Sequence, residues 1–281
     1  MVQVTAGISL REVGRMAKIP HDRDKTKTGN AIAEVRYVPA EPDPPFPEEE
    51  AARSNIRDIA VAHKTFRIRL ADTDEGRNAA NMLIDRMYSW RGYTTSHQTP
   101  KSPNLITLMA MENHSVIGTI SISLDSPIGI LADETYEDEI NILRSRGCRI
   151  CEFTKLAFDP AVRSKQVLAS LFHVAFIYAW HIRNCTDLLI EVNPRHRRFY
   201  KRMLGFKRYG QIKTNPRVNA PAVLLWLDLG YAEQQIQKFG GSSNHPGSEK
   251  SLYPYFFSHH EEEGIVHRLL NLNGDSREMV Q

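Results

Sequence analysis

Apolar and polar positions repeat along this chain with two periods, and the switches between them mark out its elements. Phe66, Ile68 and Leu70 alternate with Arg67 and Arg69, the period of a half-buried strand. Asp72 then caps a helix over about 73–91, where Ala79, Ala80, Leu83, Ile84 and Met87 form a 3.6-residue stripe that Gly92 ends. Residues 105–111 and 116–124 flank the short polar turn Glu112-Asn113-His114-Ser115, which predicts an antiparallel hairpin. The acidic stretch 133–139 reads as a loop, and 149–158 reads as a strand closed by Asp159 and Pro160. Leu168, Leu171, Phe172, Ala175, Ala179 and Ile182 recur at helical spacing and predict a long helix over 164–183. The nearly continuous apolar run 188–192 is the pattern of a central strand covered on both faces. Asn193 as N-cap and Pro194 at the first helical position convert that strand into a helix, which Gly205 stops after Leu204. Residues 222–229 give a last strand, so the fold class is α/β (α+β), a mixed central sheet flanked by helices.

This core spans residues 61–230. Residues 1–60 read as an N-terminal extension with a short candidate strand over 31–38, followed by a run at 39–50 whose five prolines and five acids suit an extended linker. Residues 231–281 read as a C-terminal extension. Gly230, Gly240, Gly241, Ser242, Ser243, Asn244 and Pro246 break the pattern before an aromatic patch at Tyr253, Tyr255, Phe256 and Phe257.

With 281 residues, 41% of them hydrophobic and 25% charged, the chain excludes a stapled secreted module and wholesale disorder. The longest apolar stretch, 167–182, is interrupted by Ser170 and His173 and falls short of the roughly 20 residues a bilayer span needs. Arg11, Glu12, Arg15 and Lys18 interrupt the N-terminal residues where a secretory signal would be apolar, so a cytoplasmic protein is expected. Cys148 and Cys151 form a solitary C-x-x-C with only Cys185 elsewhere, and without a second ligand pair they read as reduced thiols rather than a metal site. His173 and His181, eight residues apart, read as packing residues, and His259, His260 and 261–263 as a solvated run. Net charge is only +3, yet Arg195, Arg197, Arg198, Lys201, Arg202, Lys207, Arg208, Lys213 and Arg217 fall within 195–217 without a single acid. That block is either a solvated face or a docking surface for a polyanion.

Four segments in order carry a family resemblance: Phe66-Arg67-Ile68-Arg69-Leu70-Ala71, Arg91-Gly92-Tyr93, Glu152-Phe153-Thr154-Lys155-Leu156-Ala157-Phe158, and Asn193-Pro194-Arg195-His196-Arg197-Arg198-Phe199-Tyr200 continuing to Phe206. Together they resemble the GNAT acyltransferases, and within them the long-chain N-acyl amino acid synthases of the FeeM type and the related acyl-homoserine-lactone synthases. The resemblance implies a GNAT-like sheet in which two strands splay, the pantetheine arm of an acyl thioester lying in the notch. It implies transfer of a long-chain acyl group to the α-amine of an amino acid. Glu152 is then the candidate base, directly or through one water, and Tyr200 the candidate acid for the leaving thiolate. A bulge between Glu152 and Lys155 would free backbone N–H groups near Leu156 and Ala157 for an oxyanion. Arg163, Lys165, Asn193, His196, Arg197, Arg198 and Lys201 are candidates for holding the arm and its carrier, and no metal is implied.

Two departures from the wider superfamily refine this. Gln166 and Leu168 stand where coenzyme A-dependent members keep glycines beside the diphosphate, and side chains there obstruct close backbone approach. An acyl carrier protein, which presents the single phosphate of 4'-phosphopantetheine on an acidic surface, fits better and matches the basic block. No tightly bound cofactor is then required. Lys155 replaces the arginine of the lactone synthases, and Ile84 replaces another arginine of their first helix, which argues against lactone formation. The competing readings are a related acyltransferase acting on another amine, whether lactone-synthase-like or coenzyme A-dependent, and a non-catalytic anion-binding module, for example for nucleic acid.

Overall fold

In the computed structural model, which describes residues 31–37, 64–89, 102–162, 164–242 and 249–278, eight strands form one sheet. They are β1 (Ala33–Tyr37), β2 (Lys64–Leu70), β3 (Leu105–Glu112), β4 (Ser115–Leu124), β5 (Ile150–Phe158), β6 (Asp187–Val192), β7 (Lys207–Asn215) and β8 (Ala220–Asp228), in the order β1-β2-β3-β4-β5-β6-β8-β7. Every neighbouring pair is antiparallel except β5 and β6. The β3–β4 hairpin turns on Asn113 and His114, both with positive φ, the conformation a two-residue turn needs to match strand twist.

Helices α1 (Asp74–Ser89) and α2 (Asp133–Ser145) cover one face, and α3 (Lys165–Ile177), α4 (Arg197–Leu204), α5 (Leu229–Phe239) and α6 (His259–Glu278) pack on the other. Strand parity assigns the faces: Val223, Leu225 and Leu227 of β8 enter the α3 side, whereas Ala222 and Leu224 enter the α1–α2 side. Residues of the C-terminal extension join the α3-side core, through Ile236, Leu252, Tyr253, Phe256, Phe257, Ile265 and Leu269. The strand expected near 31–38 forms as β1 and closes that edge.

Several expectations need correction. The acidic stretch at 133–139 is helical with a kink at Tyr136 (φ −131°, ψ 32°), because Asp133 and Glu134 lie in the first turn of α2, where carboxylates suit the helix dipole, and Tyr136, Ile140 and Leu143 are buried. The cap of α1 is Thr73, whose hydroxyl accepts from the Gly76 N–H at 3.0 Å, rather than Asp72. Strand β7 was hidden by its exposed basic side chains, as an edge strand allows. The long helix is α-helical only as far as Ile177 and continues through a π-turn at Tyr178–Ile182.

Candidate active site

The parallel pairing of β5 and β6 runs only from Ile150 opposite Asp187 to Glu152 opposite Leu189. Beyond that point Ile190, Glu191 and Val192 pair with β8 alone. The strands therefore part just after Glu152 and leave a notch in the middle of the sheet. On the other side of β5 the register with β4 passes from Thr154 opposite Ser121 to Ala157 opposite Thr119. The extra residue makes a bulge after Thr154, with Lys155 at φ 50° and its carbonyl held by the Thr119 hydroxyl at 2.9 Å. The bulge resets side-chain parity, so that Phe153 and Leu156 both face the α3 core while Ala157 faces α1.

Glu152 is fully buried on the α1–α2 face. Its Oε2 accepts from the Ala132 N–H at 3.4 Å, and its Oε1 has no hydrogen-bond partner among the described residues. Burial pushes its pKa up to about 7, with a further rise from Glu191 opposed by Arg217. No ion pair joins it to Lys155. That ammonium faces the α1 side near Asp85, and its own burial lowers its pKa to about 8. Hydroxyls floor this face: Thr107 and Ser121 lie 2.7 Å apart, and Thr154, next in register, has a buried hydroxyl without a hydrogen-bond partner.

Residues not singled out from the sequence complete the surroundings. Glu191, buried on β6, accepts from Asn215 at 2.7 Å and Arg217 at 2.8 Å. Arg217 also reaches Glu134 at 2.9 Å and the Leu131 carbonyl at 2.6 Å. The Tyr136 hydroxyl lies 2.9 and 2.8 Å from the Gln211 and Ala222 carbonyls. The available signal was Glu191 itself, the lone charge in the apolar run 188–192.

Tyr200 comes from the opposite side of the sheet. Its ring lies among Phe172, Phe199 and Phe206, and its fully buried hydroxyl has no hydrogen-bond partner. Burial, then the nearby Tyr88, hold its pKa well above the ordinary value. On α4 the residues that pack partly against the core are Phe199 and Met203. Tyr200 and Leu204 are the buried pair, one residue further round the helix. His196, a candidate for holding the arm, accepts from Arg195 at 3.1 Å, and Asn193 caps the turn by accepting from the Arg195 N–H at 3.2 Å. Arg197, Arg198 and Lys201 are exposed on α4. The basic block is thus divided: α4 presents its charges to solvent, while Lys213 pairs with Glu139 and Arg217 with Glu191 on the far face.

At the start of α3, Ser164 caps the helix by accepting from the Val167 N–H. Gln166 donates to the Tyr255 carbonyl at 3.2 Å and the Lys165 ammonium sits 5.8 Å from the Tyr255 ring centre, so the C-terminal segment rests against this first turn. Arg163 lies outside the described residues, as do Arg91, Gly92 and Tyr93 of the sequence motifs. The C-x-x-C is no clamp: Cys148 packs on the α2 side and Cys151 on the α3 side, where burial raises the thiol pKa of each, that of Cys148 to about 11. No helix among the described residues is long and apolar enough to cross a membrane.

Residues 79–228 match the model of the N-acyl amino acid synthase FeeM family. The structure of FeeM, an N-acyl amino acid synthase from uncultured soil microbes, superposes with a TM-score of 0.56 and 29% identity, covering 60% of this chain and 93% of that one. The acyl-homoserine-lactone synthase LasI gives 0.46 and 13% identity over 59% of this chain and 91% of its own. Escherichia coli ElaA gives 0.44 and 8% over 58% and 99%. No curated protein sequence matches the chain. The family model spans the notch, the bulge, Glu152 and Tyr200 alike, and on it and the FeeM structure the GNAT-like fold is confirmed: the chain belongs to the FeeM family of N-acyl amino acid synthases and is an N-acyltransferase.

Proposed function

We propose that the protein transfers a long-chain fatty acyl group from the phosphopantetheine thioester of acyl carrier protein to the α-amine of an amino acid. The observation that carries this reading is the notch itself. A thioester arm entering between β5 and β6 meets a buried carboxylate on one face and a buried phenol on the other. The acceptor amine binds on the α1–α2 side, among Glu152 and the Thr107, Ser121 and Thr154 hydroxyls. Glu152 takes a proton from the amine, directly or through one water, as nitrogen attacks the thioester carbon. Backbone N–H groups at the bulge, near Leu156 and Ala157, receive the tetrahedral oxyanion. The carbon–sulfur bond then breaks and the Tyr200 hydroxyl, kept protonated by burial, supplies a proton to the departing thiolate. The products are an N-acyl amino acid and the free carrier thiol, and the phosphopantetheine enters and leaves with its carrier rather than residing on the enzyme.

The choice of donor is supported by the first turn of α3. Gln166 and Leu168 remove the bare backbone that a diphosphate requires, and the contacts of Lys165 and Gln166 with Tyr255 place the C-terminal segment beside it. The exposed cations of α4 suit an acidic carrier. The test supplies purified protein with one long-chain acyl group on acyl carrier protein or on coenzyme A, and a mixture of amino acids, and follows products by mass spectrometry. An N-acyl amino acid formed with a far higher specificity constant from the carrier is expected. Equal specificity constants would remove the carrier from the proposal, and product on no amino acid would remove the acceptor.

A further inference from the structure

A second cluster of ionisable groups lies away from the notch, where α3 runs into its π-turn and meets α5 and α6. His181, Glu233 and Glu262 bring one ligand atom each to within 4.8 Å of one another. The His181 Nε2 is 2.9 Å from Glu262 Oε1 and 3.9 Å from Glu233 Oε2. We propose that His181, Glu233 and Glu262 form a site for a divalent transition-metal ion of the Zn²⁺ class, which fastens α5 and α6 to the end of the long helix.

Geometry, charge and the surrounding shell each support it. Ligands at the usual 2.0–2.2 Å from zinc stand about 3.4 Å apart in a tetrahedron, so the observed separations bracket what the ion needs. Two carboxylates face a single imidazole, and even a protonated His181 leaves one negative charge over; a divalent ion closes that imbalance. Glu233 has one oxygen held by Gln237 at 2.7 Å, while its other, Oε2, is buried without a hydrogen-bond partner.

His173 is the independent observation. It is fully buried, and its Nδ1 accepts from the Phe257 N–H at 2.9 Å, which places the proton of the neutral ring on Nε2. Among the described residues that N–H has no hydrogen-bond partner, and it lies 3.6 Å from Glu262 Oε2. It is placed to steady a ligating carboxylate, the usual task of the groups behind metal ligands. The π-turn makes the convergence possible. Eight residues at about 100° each would leave His181 some 80° round the helix from His173. The wider turn, closed by the Arg183 N–H on the Tyr178 carbonyl at 3.0 Å, advances each residue less and swings His181 back. Such turns are frequent at functional sites. The spacing of eight, which argued against a metal clamp in the sequence, is therefore no obstacle once the helix widens and Glu262 arrives from α6.

The test uses the full chain, stripped with EDTA and titrated with Zn²⁺ in a calorimeter. One equivalent should bind, the thermal midpoint should rise by several degrees, and EDTA should reverse the rise. Glu233→Gln and His181→Asn, checked by circular dichroism for an unchanged fold, should each abolish uptake; His173→Gln should weaken it about tenfold while leaving stoichiometry intact. Co²⁺ gives a second measurement on the unmutated protein: absorption of an imidazole–carboxylate site without thiolate charge-transfer intensity. Absence of saturable one-to-one binding would overturn the proposal. So would uptake undiminished in Glu233→Gln and His181→Asn, or a thiolate signature, either of which would place the ion elsewhere.

Discussion

Glu152 is a carboxyl that burial pushes toward its neutral form, and both its stability effect and its proposed chemistry follow from that. With a folded pKa of about 7 against an ordinary 4.5, its stabilising contribution is present below pH about 4.5 and is lost as pH rises through 7. Glu152→Gln should therefore unfold with little pH dependence from this position, and at pH 8 should exceed the natural protein by on the order of 3 kcal/mol. Denaturation at pH 5 and pH 8 checks this, and a gap that fails to widen contradicts the buried-acid picture. The same variant should lose about two orders of magnitude in turnover, the scale of losing a general base. A near-normal single-turnover rate would return Glu152 to a structural role. As the proposed base, Glu152 has to be ionised, so turnover should climb with pH through about 7, although titration of the acceptor amine produces a rise of its own. Glu191→Gln separates the two. It removes a carboxylate that raises the Glu152 pKa and leaves Arg217, which lowers it, freer to act. The rise should then move to lower pH; a limb that stays in place belongs to the amine.

The bulge in β5 shows what a single element contributes to the site. Lys155 holds φ at 50°, a left-handed conformation that costs L-residues in general about 1–2 kcal/mol and is an outlier for a β-branched one, which adds a cost of that order. Lys155→Val should lower stability by about that amount and, as the bulge relaxes, depress turnover; Lys155→Gly should keep both the bulge and most of the activity. Equal turnover in the two variants would sever the bulge from catalysis. The bulge was not legible in advance, since 149–158 reads simply as a strand and a bulge was called for only by a Glu152–Lys155 pair that does not form; the hairpin, the central strand and the Asn193-Pro194 start of the following turn were legible for local reasons. Strand β7 was not. Its side chains at Lys207, Arg208, Gln211 and Ile212 are exposed, so no buried face marks it in the sequence. Helix α2 was masked by the acids of its first turn, although its Tyr136, Ile140 and Leu143 stripe was present. The Glu191–Asn215–Arg217 network was beyond reach, since it joins three positions up to 26 residues apart across β6 and the end of β7. Likewise His173 and His181 meet Glu262 only through a π-turn and a helix more than eighty residues on, and no local pattern specifies either.

Over the whole molecule, the charges of 195–217 serve two surfaces that the sequence presents as one. Lys213 and Arg217 pair with the acids of α2 and β6, so what remains exposed includes Lys207 and Arg208 on β7 and the face of α4. Arg197, Arg198 and Lys201 lie there in a single exposed sector at i, i+1 and i+4, while Tyr200 and Leu204 of the same helix point into the core. A carrier that docks on this face arrives beside the helix that holds Tyr200, where its arm has the shortest route to the notch. Exposed charges at such a face mainly raise the association rate and make it sensitive to salt. Replacing Arg197, Arg198 and Lys201 with Glu should therefore raise KM for acyl carrier protein severalfold, leave KM for the amino acid unchanged, and spare the fold because none of the three is buried. In the natural protein kcat/KM for the carrier should fall steeply with added salt, and in the triple variant it should stay flat or rise as the repulsion is screened. If both proteins show the same salt slope and the same carrier dependence, the carrier docks elsewhere, and the exposed cations of α4 answer to some other polyanion or only to water.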